Sequence, residues 1–145
     1  MTDLSKGIIE IGGFVFDVNT TSTDVKNKLK GLYANHATSR DGSVELFRFE
    51  NIKLLDRYFK IWATFINQTI SSVELFPYCV NDLQYEERYQ ANCEWLKNIL
   101  GNPDEVSEYT YSYNFEGIRV YSFIQRDLAR SPAETLICLK YEKKH

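Results

Sequence analysis

Asp82-Leu83-Gln84-Tyr85-Glu86-Glu87-Arg88-Tyr89-Gln90-Ala91-Asn92-Cys93-Glu94-Trp95-Leu96-Lys97-Asn98-Ile99-Leu100-Gly101-Asn102-Pro103 is the stretch whose reading decides the fold. Tyr85, Tyr89, Cys93, Leu96 and Leu100 recur at helical spacing, and Trp95 and Ile99 widen the stripe. Asn81 or Asp82 can cap the start, and Glu86 and Glu87 sit in the first turns, where the helix dipole favours negative charge. Gly101 suits the left-handed residue after a helix, and Pro103 forbids continuation. Most of what flanks this helix alternates like strand, so the expected plan is a sheet that helices cover.

Working towards the N-terminus, Asn67-Gln68 reads as a turn between the strands Tyr58–Ile66 and Ile70–Phe76. In the first of these Phe59, Ile61, Ala63 and Phe65 share one side. Val44–Phe49 and Asn51–Leu55 read as strand on either side of a turn or bulge. The polar stretch Ala34–Gly42, with a lone His36, reads as a loop. Before it, Thr21 and Asp24 form a variant capping box for a short helix with Val25, Leu29 and Leu32 on its apolar side. Gly12-Gly13 between two β-branched and aromatic runs reads as a tight hairpin, with Phe14, Phe16 and Val18 towards one face.

Beyond the long helix, Tyr109, Tyr111 and Tyr113 alternate on a strand, Phe115–Phe123 is a second, and Glu134–Tyr141 closes the sheet after a long loop. The fold class is α+β: an antiparallel sheet with two helices packed on one face, in a single domain over residues 1–145. An internal echo points to a tandem duplicated α-β-β-β unit, residues 14–78 and 82–142. Phe49-Glu50-Asn51-Ile52-Lys53 returns as Phe115-Glu116-Gly117-Ile118-Arg119, 66 residues later.

Composition narrows the function classes. The chain has 145 residues, a hydrophobic content of 43% and a net charge of −3, as expected of an ordinary globular domain. Nucleic-acid binding calls for a basic stripe, and the only basic run is the terminal Lys143-Lys144. No segment approaches the ~20 apolar residues of a membrane span, and the N-terminus carries no secretory signal, so a cytoplasmic protein is expected. Cys79, Cys93 and Cys138 lack CxxC spacing and read as reduced, buried thiols.

Catalytic patterns are missing: no GxSxG, HExxH, phosphate loop or GxGxxG. His36 stands alone and His145 is terminal, so neither a metal site nor a Cys–His pair is expected, and no cofactor. Glu86-Glu87, Asp104-Glu105 and the pair Asp127/Arg130 read as solvated surface. Recognition is what remains. Asp104, Glu105, Glu108, Tyr109, Tyr111, Tyr113 and Glu116 fall within thirteen residues. Acids steer a basic partner and exposed tyrosines supply contact area, while the competing interpretation makes the same tyrosines core and the acids solvated.

Leu100, Gly101 and Pro103 at a helix end, an acidic loop, and then Tyr113, Phe115, Gly117 and Ile118 resemble a small bacterial helix-then-meander unit. In tandem it is similar to the architecture of the β-lactamase inhibitory protein, and as a single copy to the BamE-type assembly lipoproteins. This chain departs from both in lacking a signal, a lipid-anchored cysteine and paired cysteines. Small acidic proteins of this class also resemble immunity proteins. The expectation is a non-enzymatic, protein-binding inhibitor that neutralises a basic toxin domain, a nuclease among the candidates. The alternatives are a small-ligand binder or enzyme with a pocket between helix and sheet, and a homodimeric structural subunit.

Overall fold

The computed structural model describes residues 1–78, 85–125 and 134–142. The expected caps Asn81 and Asp82, together with Cys79, Asp127, Arg130, Lys143, Lys144 and His145, lie outside these residues. A 3₁₀ turn, Leu4–Lys6, leads into β1 (Ile9–Ile11) and β2 (Phe14–Phe16). The glycines between them take φ of 58° and 82°, the left-handed pair that a two-residue hairpin needs. Ile9, Ile11 and Phe16 are buried, whereas Val18 has turned outwards.

Helix α1 (Ser22–Lys28) begins with the expected capping box. Thr21 Oγ1 accepts from the Asp24 amide and Asp24 Oδ2 from the Thr21 amide, each at 3.2 Å. Val25 and Leu29 are buried, but Leu32 is 51% exposed. The helix ends at Lys28, so Leu32 has left the stripe and instead lies over Gly12.

The rest is β3 (Asn35–Thr38), β4 (Val44–Leu54), β5 (Arg57–Ile66), β6 (Thr69–Pro77), α2 (Tyr85–Leu100), β7 (Glu105–Val106), β8 (Thr110–Phe115), β9 (Ile118–Gln125) and β10 (Glu134–Tyr141). Strands β3 to β10 form one sheet in the order β3-β4-β5-β6-β10-β9-β8-β7, with every neighbouring pair antiparallel. The class is α+β, as expected.

Two expectations need correcting. The stretch 34–42 is not wholly loop, because Asn35–Thr38 pairs with Glu45–Arg48 as an edge strand. Its polar residues hid it, since an edge strand need not alternate. Glu134–Tyr141 does not close the sheet at a margin. It lies in the middle, between β6 and β9, and Leu136 to Leu139 are buried without interruption, as a strand inside a sheet allows.

Register divides the sheet into two faces. Phe47, Phe49, Phe59, Ile61, Ala63, Phe65, Val73, Leu75, Ile137, Leu139, Val120 and Tyr113 share the core face. Trp95 of α2 packs on Phe59 at 5.3 Å between ring centres, and its Nε1 donates to Asp56 at 2.7 Å. Cys93 lies 3.9 Å from the Ser122 hydroxyl. Ile99, one turn past Trp95, is 37% exposed beside Met1 and Leu55, so the stripe is narrower there than its spacing implies. Gly101 takes φ of 81°, and its amide bonds back to Lys97, ending the helix as expected.

The 66-residue echo has a conformational counterpart. Asn51 and Gly117 both take left-handed φ, 56° and 76°. In β4 this residue forms a bulge, its amide donating to the Tyr78 hydroxyl at 3.0 Å, and the strand runs on to Leu54. Gly117 instead lies in the turn between β8 and β9.

Candidate docking surfaces

The Tyr-rich strip splits into three parts. Asp104, Glu105, Glu108 and Tyr109 gather at the β7–β8 corner, on the outermost strand of the sheet. The corner is tied by the Ser107 amide donating to the Thr110 carbonyl at 2.8 Å and the Asp104 amide to that of Ser112 at 2.9 Å. Asp104 Oδ2 accepts from the Asn114 amide at 2.7 Å, so it props the corner as well as charging it. Val106 is 67% exposed and Tyr109 38%, and the register puts Val106 on the side of Tyr111 and Glu105 on the other.

Tyr111 and Tyr113 belong elsewhere. Both face the core from β8, at 5.9 Å between ring centres, with Tyr111 half-buried. Tyr113 is only 2% exposed, and its hydroxyl donates to the Gly101 carbonyl at 2.7 Å, so a partner has no access to it. Burial raises its pKa far above the ordinary phenol range. The aromatic stripe was legible, but its inward direction was not, because alternation does not say which parity is the core. Glu116 is exposed at the opposite end of β8, about 20 Å of strand from Glu108. It lines a cavity of about 610 Å³ with Glu142, Thr20, Thr21 and Thr69.

His36 also differs from its expected solvated loop. It stacks on Phe47 at 4.3 Å and 12°, with Nε2 3.1 Å from Glu45 Oε2, and Lys26 Nζ reaches the same oxygen at 2.8 Å. Glu45 is buried. Burial alone would raise its pKa, but the bonds from Lys26 and His36 outweigh that and hold it below the usual range. The free thiols of Cys93 and Cys138 are buried, and burial pushes both up, Cys138 to about 11, which suits packing and not nucleophilic attack. Among the described residues no three His, Cys, Asp or Glu side chains converge as a metal site, and no helix is long and apolar enough to cross a membrane.

Sequence reasoning missed the sheet face opposite the core. One row crosses all eight strands: Asn35, Arg48, Trp62, Glu74, Cys138, Tyr121, Ser112 and Glu105. The Arg48 guanidinium lies 4.6 Å from the centre of the Trp62 ring, and that of Arg119 lies 4.8 Å from Tyr121. Lys60 Nζ is 5.4 Å from Trp62 and 5.1 Å from Phe76, which packs on Trp62 at 4.8 Å. The signal was present in the parity left over once the core side was assigned. Short polar residues are ordinary there; arginines and large aromatics are not.

Family models, curated proteins and solved structures all fail to match this chain.

Proposed function

We propose that the chain is a non-enzymatic, protein-binding inhibitor of the immunity type, acting in the cytoplasm on a basic toxin domain through the β7–β8 corner. A nuclease is the class favoured, because a surface built to hold phosphates is basic and an acidic rim competes for it. The observation that carries this reading is the exposure of Val106 and Tyr109 in one hairpin with the exposed Asp104, Glu105 and Glu108. An apolar centre supplies buried area on docking, and a charged rim sets orientation and association rate.

The same reading takes the fold as a tandem duplication, α1 with β3–β6 followed by α2 with β7–β10, the two halves meeting at β6 and β10. The mirrored strand order supports it, as does the shared left-handed position at Asn51 and Gly117. Both helices then cover one face. Lys26 reaching Glu45 and Trp95 packing on Phe59 support that placement. As a homodimeric subunit the chain has little to offer at its strand edges, since β7 has two residues and β3 four.

The test is affinity capture from the source cell, followed by titration of the captured protein's activity. The chain should hold a basic protein and abolish its activity near equimolar ratio. Replacing Glu105→Gln, Glu108→Gln and Val106→Ser together should release it while leaving the unfolding curve unchanged. Capture unaffected by these changes refutes the corner.

One observation favours a second reading as a small-ligand binder: Glu116 and Glu142 line the same cavity. Its lining suits a small cationic amine. Equilibrium dialysis with spermidine, using Glu142→Gln as control, tests it.

A further inference from the structure

On the sheet face opposite the core, opposite charges are placed evenly about one row of the sheet, and we propose that this face pairs with the same face of a second copy of the chain. Register fixes the row. Phe49, Ile61, Leu75, Ile137, Ser122 and Tyr111 are successive Cα partners across β4, β5, β6, β10, β9 and β8. Arg48 and Glu50 lie one residue to either side of it on β4, and Lys140 and Glu134 lie three residues to either side of it on β10. An odd number of residues from a core-facing position reaches the other face, so all four side chains share the outer one. Strands β4 and β10 run in opposite directions, which puts both basic residues on one side of the row and both acidic residues on the other.

A two-fold axis laid along that row exchanges its two sides. It sets Arg48 opposite Glu50 of the second copy and Lys140 opposite its Glu134, and each pair forms twice by symmetry. Lys60 and Glu74 lie on the sides of opposite sign, and the same operation sets them against Trp62 and Phe76 of the second copy, so neither meets its own charge. Tyr121 then meets Phe123 of the second copy. An axis running along β10 would instead stack Lys140 on Lys140 and Glu134 on Glu134, so the charges choose the direction of the axis.

The four charges are open to such a partner. Among the described residues no ion pair engages Arg48, Glu50, Glu134 or Lys140. Glu50, Glu134 and Lys140 are exposed, and the Arg48 guanidinium is held 4.6 Å from the centre of the Trp62 ring. Half-buried Trp62, Phe76, Tyr121 and Phe123 lie between the charged positions, and aromatic residues with arginine are the composition of interface centres. The eight strands span about 34 Å and residues 134–140 about 20 Å, so each copy offers on the order of 700 Å², near the ~800 Å² per partner of a standard interface. Both signs in exchanged order about one line are what a contact between identical surfaces requires, and no other partner calls for that order. Neither ion pair includes a residue of the β7–β8 corner, so the proposal stands if the corner binds nothing.

Sedimentation equilibrium of the whole chain, from micromolar to about half-millimolar concentration, tests it. Wild type should dimerise, and less tightly as salt rises. Lys140→Glu sets acid against acid at two places and should raise the dimer dissociation constant at least about tenfold. Adding Glu134→Lys returns opposite signs to the same positions, so the swapped double variant should recover to within about threefold of wild type. An equimolar mixture of the two single variants, one with both positions acidic and one with both basic, should likewise pair where neither variant does alone. Both residues are exposed, and matching thermal unfolding of each variant confirms that the fold persists. Three results overturn the proposal: a monomer at every concentration, a dimer indifferent to Lys140→Glu, or a dimer weakened by it and rescued neither by the swap nor by mixing.

Discussion

The hydroxyl of Tyr113 donates a 2.7 Å hydrogen bond to the carbonyl of Gly101 and so ties the end of α2 to the middle of β8. Tyr113→Phe keeps the ring, which lies parallel to Phe115 at 6.2 Å, and strands that carbonyl. A loss of about 1 kcal/mol is expected in urea unfolding, with no change in the denaturant slope. Because the bond aims the segment that leads into β7, the variant should also weaken the proposed capture at the corner, although Tyr113 itself is buried.

Thr21 and Asp24 cap α1 reciprocally. Thr21→Ala should cost about 1 kcal/mol, and adding Asp24→Ala should cost less than the sum of the single changes, because either removes most of the box. A double-mutant cycle in thermal unfolding reads this directly.

Glu45 holds Lys26 and His36 together, and its pKa is depressed in the folded protein. The unfolded chain therefore takes up protons first on acidification. The stability this group contributes is full above the ordinary carboxyl value of about 4.3 and is lost as pH falls through the lower folded value. Glu45→Gln should cost about 1–3 kcal/mol at pH 7 and much less near pH 3, measured as unfolding midpoints at both pH values.

Glu74 shifts the other way: burial, with Glu134 nearby, raises its pKa. Its folded form holds the proton longer, so its contribution is best below the ordinary carboxyl value and is lost as pH rises through the folded one. Glu74→Gln should stabilise the protein at pH 7, with the gain disappearing below about pH 4.

Asn92 is fully buried on α2, and neither end of its amide has a partner. Asn92→Leu should raise stability by about 1 kcal/mol by removing the unmet polar atoms. An unchanged or lower melting temperature would show that the buried amide is not a net cost to the fold.

Local chemistry was legible where one or two residues suffice. Thr21 with Asp24, Gly12 with Gly13, Asn67 with Gln68 and Gly101 all act through their own backbone, and each appears where its residue type implies. Direction was harder. Tyr109, Tyr111 and Tyr113 alternate like any strand, but only the neighbours on β9 decide that Tyr113 faces inwards. The place of Glu134–Tyr141 depends on pairing with β6, about 65 residues earlier, a relation no local pattern carries. His36 was misplaced for the same reason: Phe47 and Glu45, not its own segment, give it a seat.

Strand β10 sits at the centre of the sheet but is the last of the described strands in chain order. Until residues 134–141 leave the ribosome, β6 and β9 have no common neighbour, and the two halves of the row from Arg48 to Glu105 are not yet one surface. Joining them is a long-range step, and such contacts form late and slowly. The Tyr141 hydroxyl then reaches back to the Gly7 carbonyl at 2.6 Å, tying β10 to the segment before β1 over the same core. A nascent chain of this protein can therefore pair β3 to β6 while the sheet still lacks its central strand, so a face spanning all eight strands exists only after translation has passed β10.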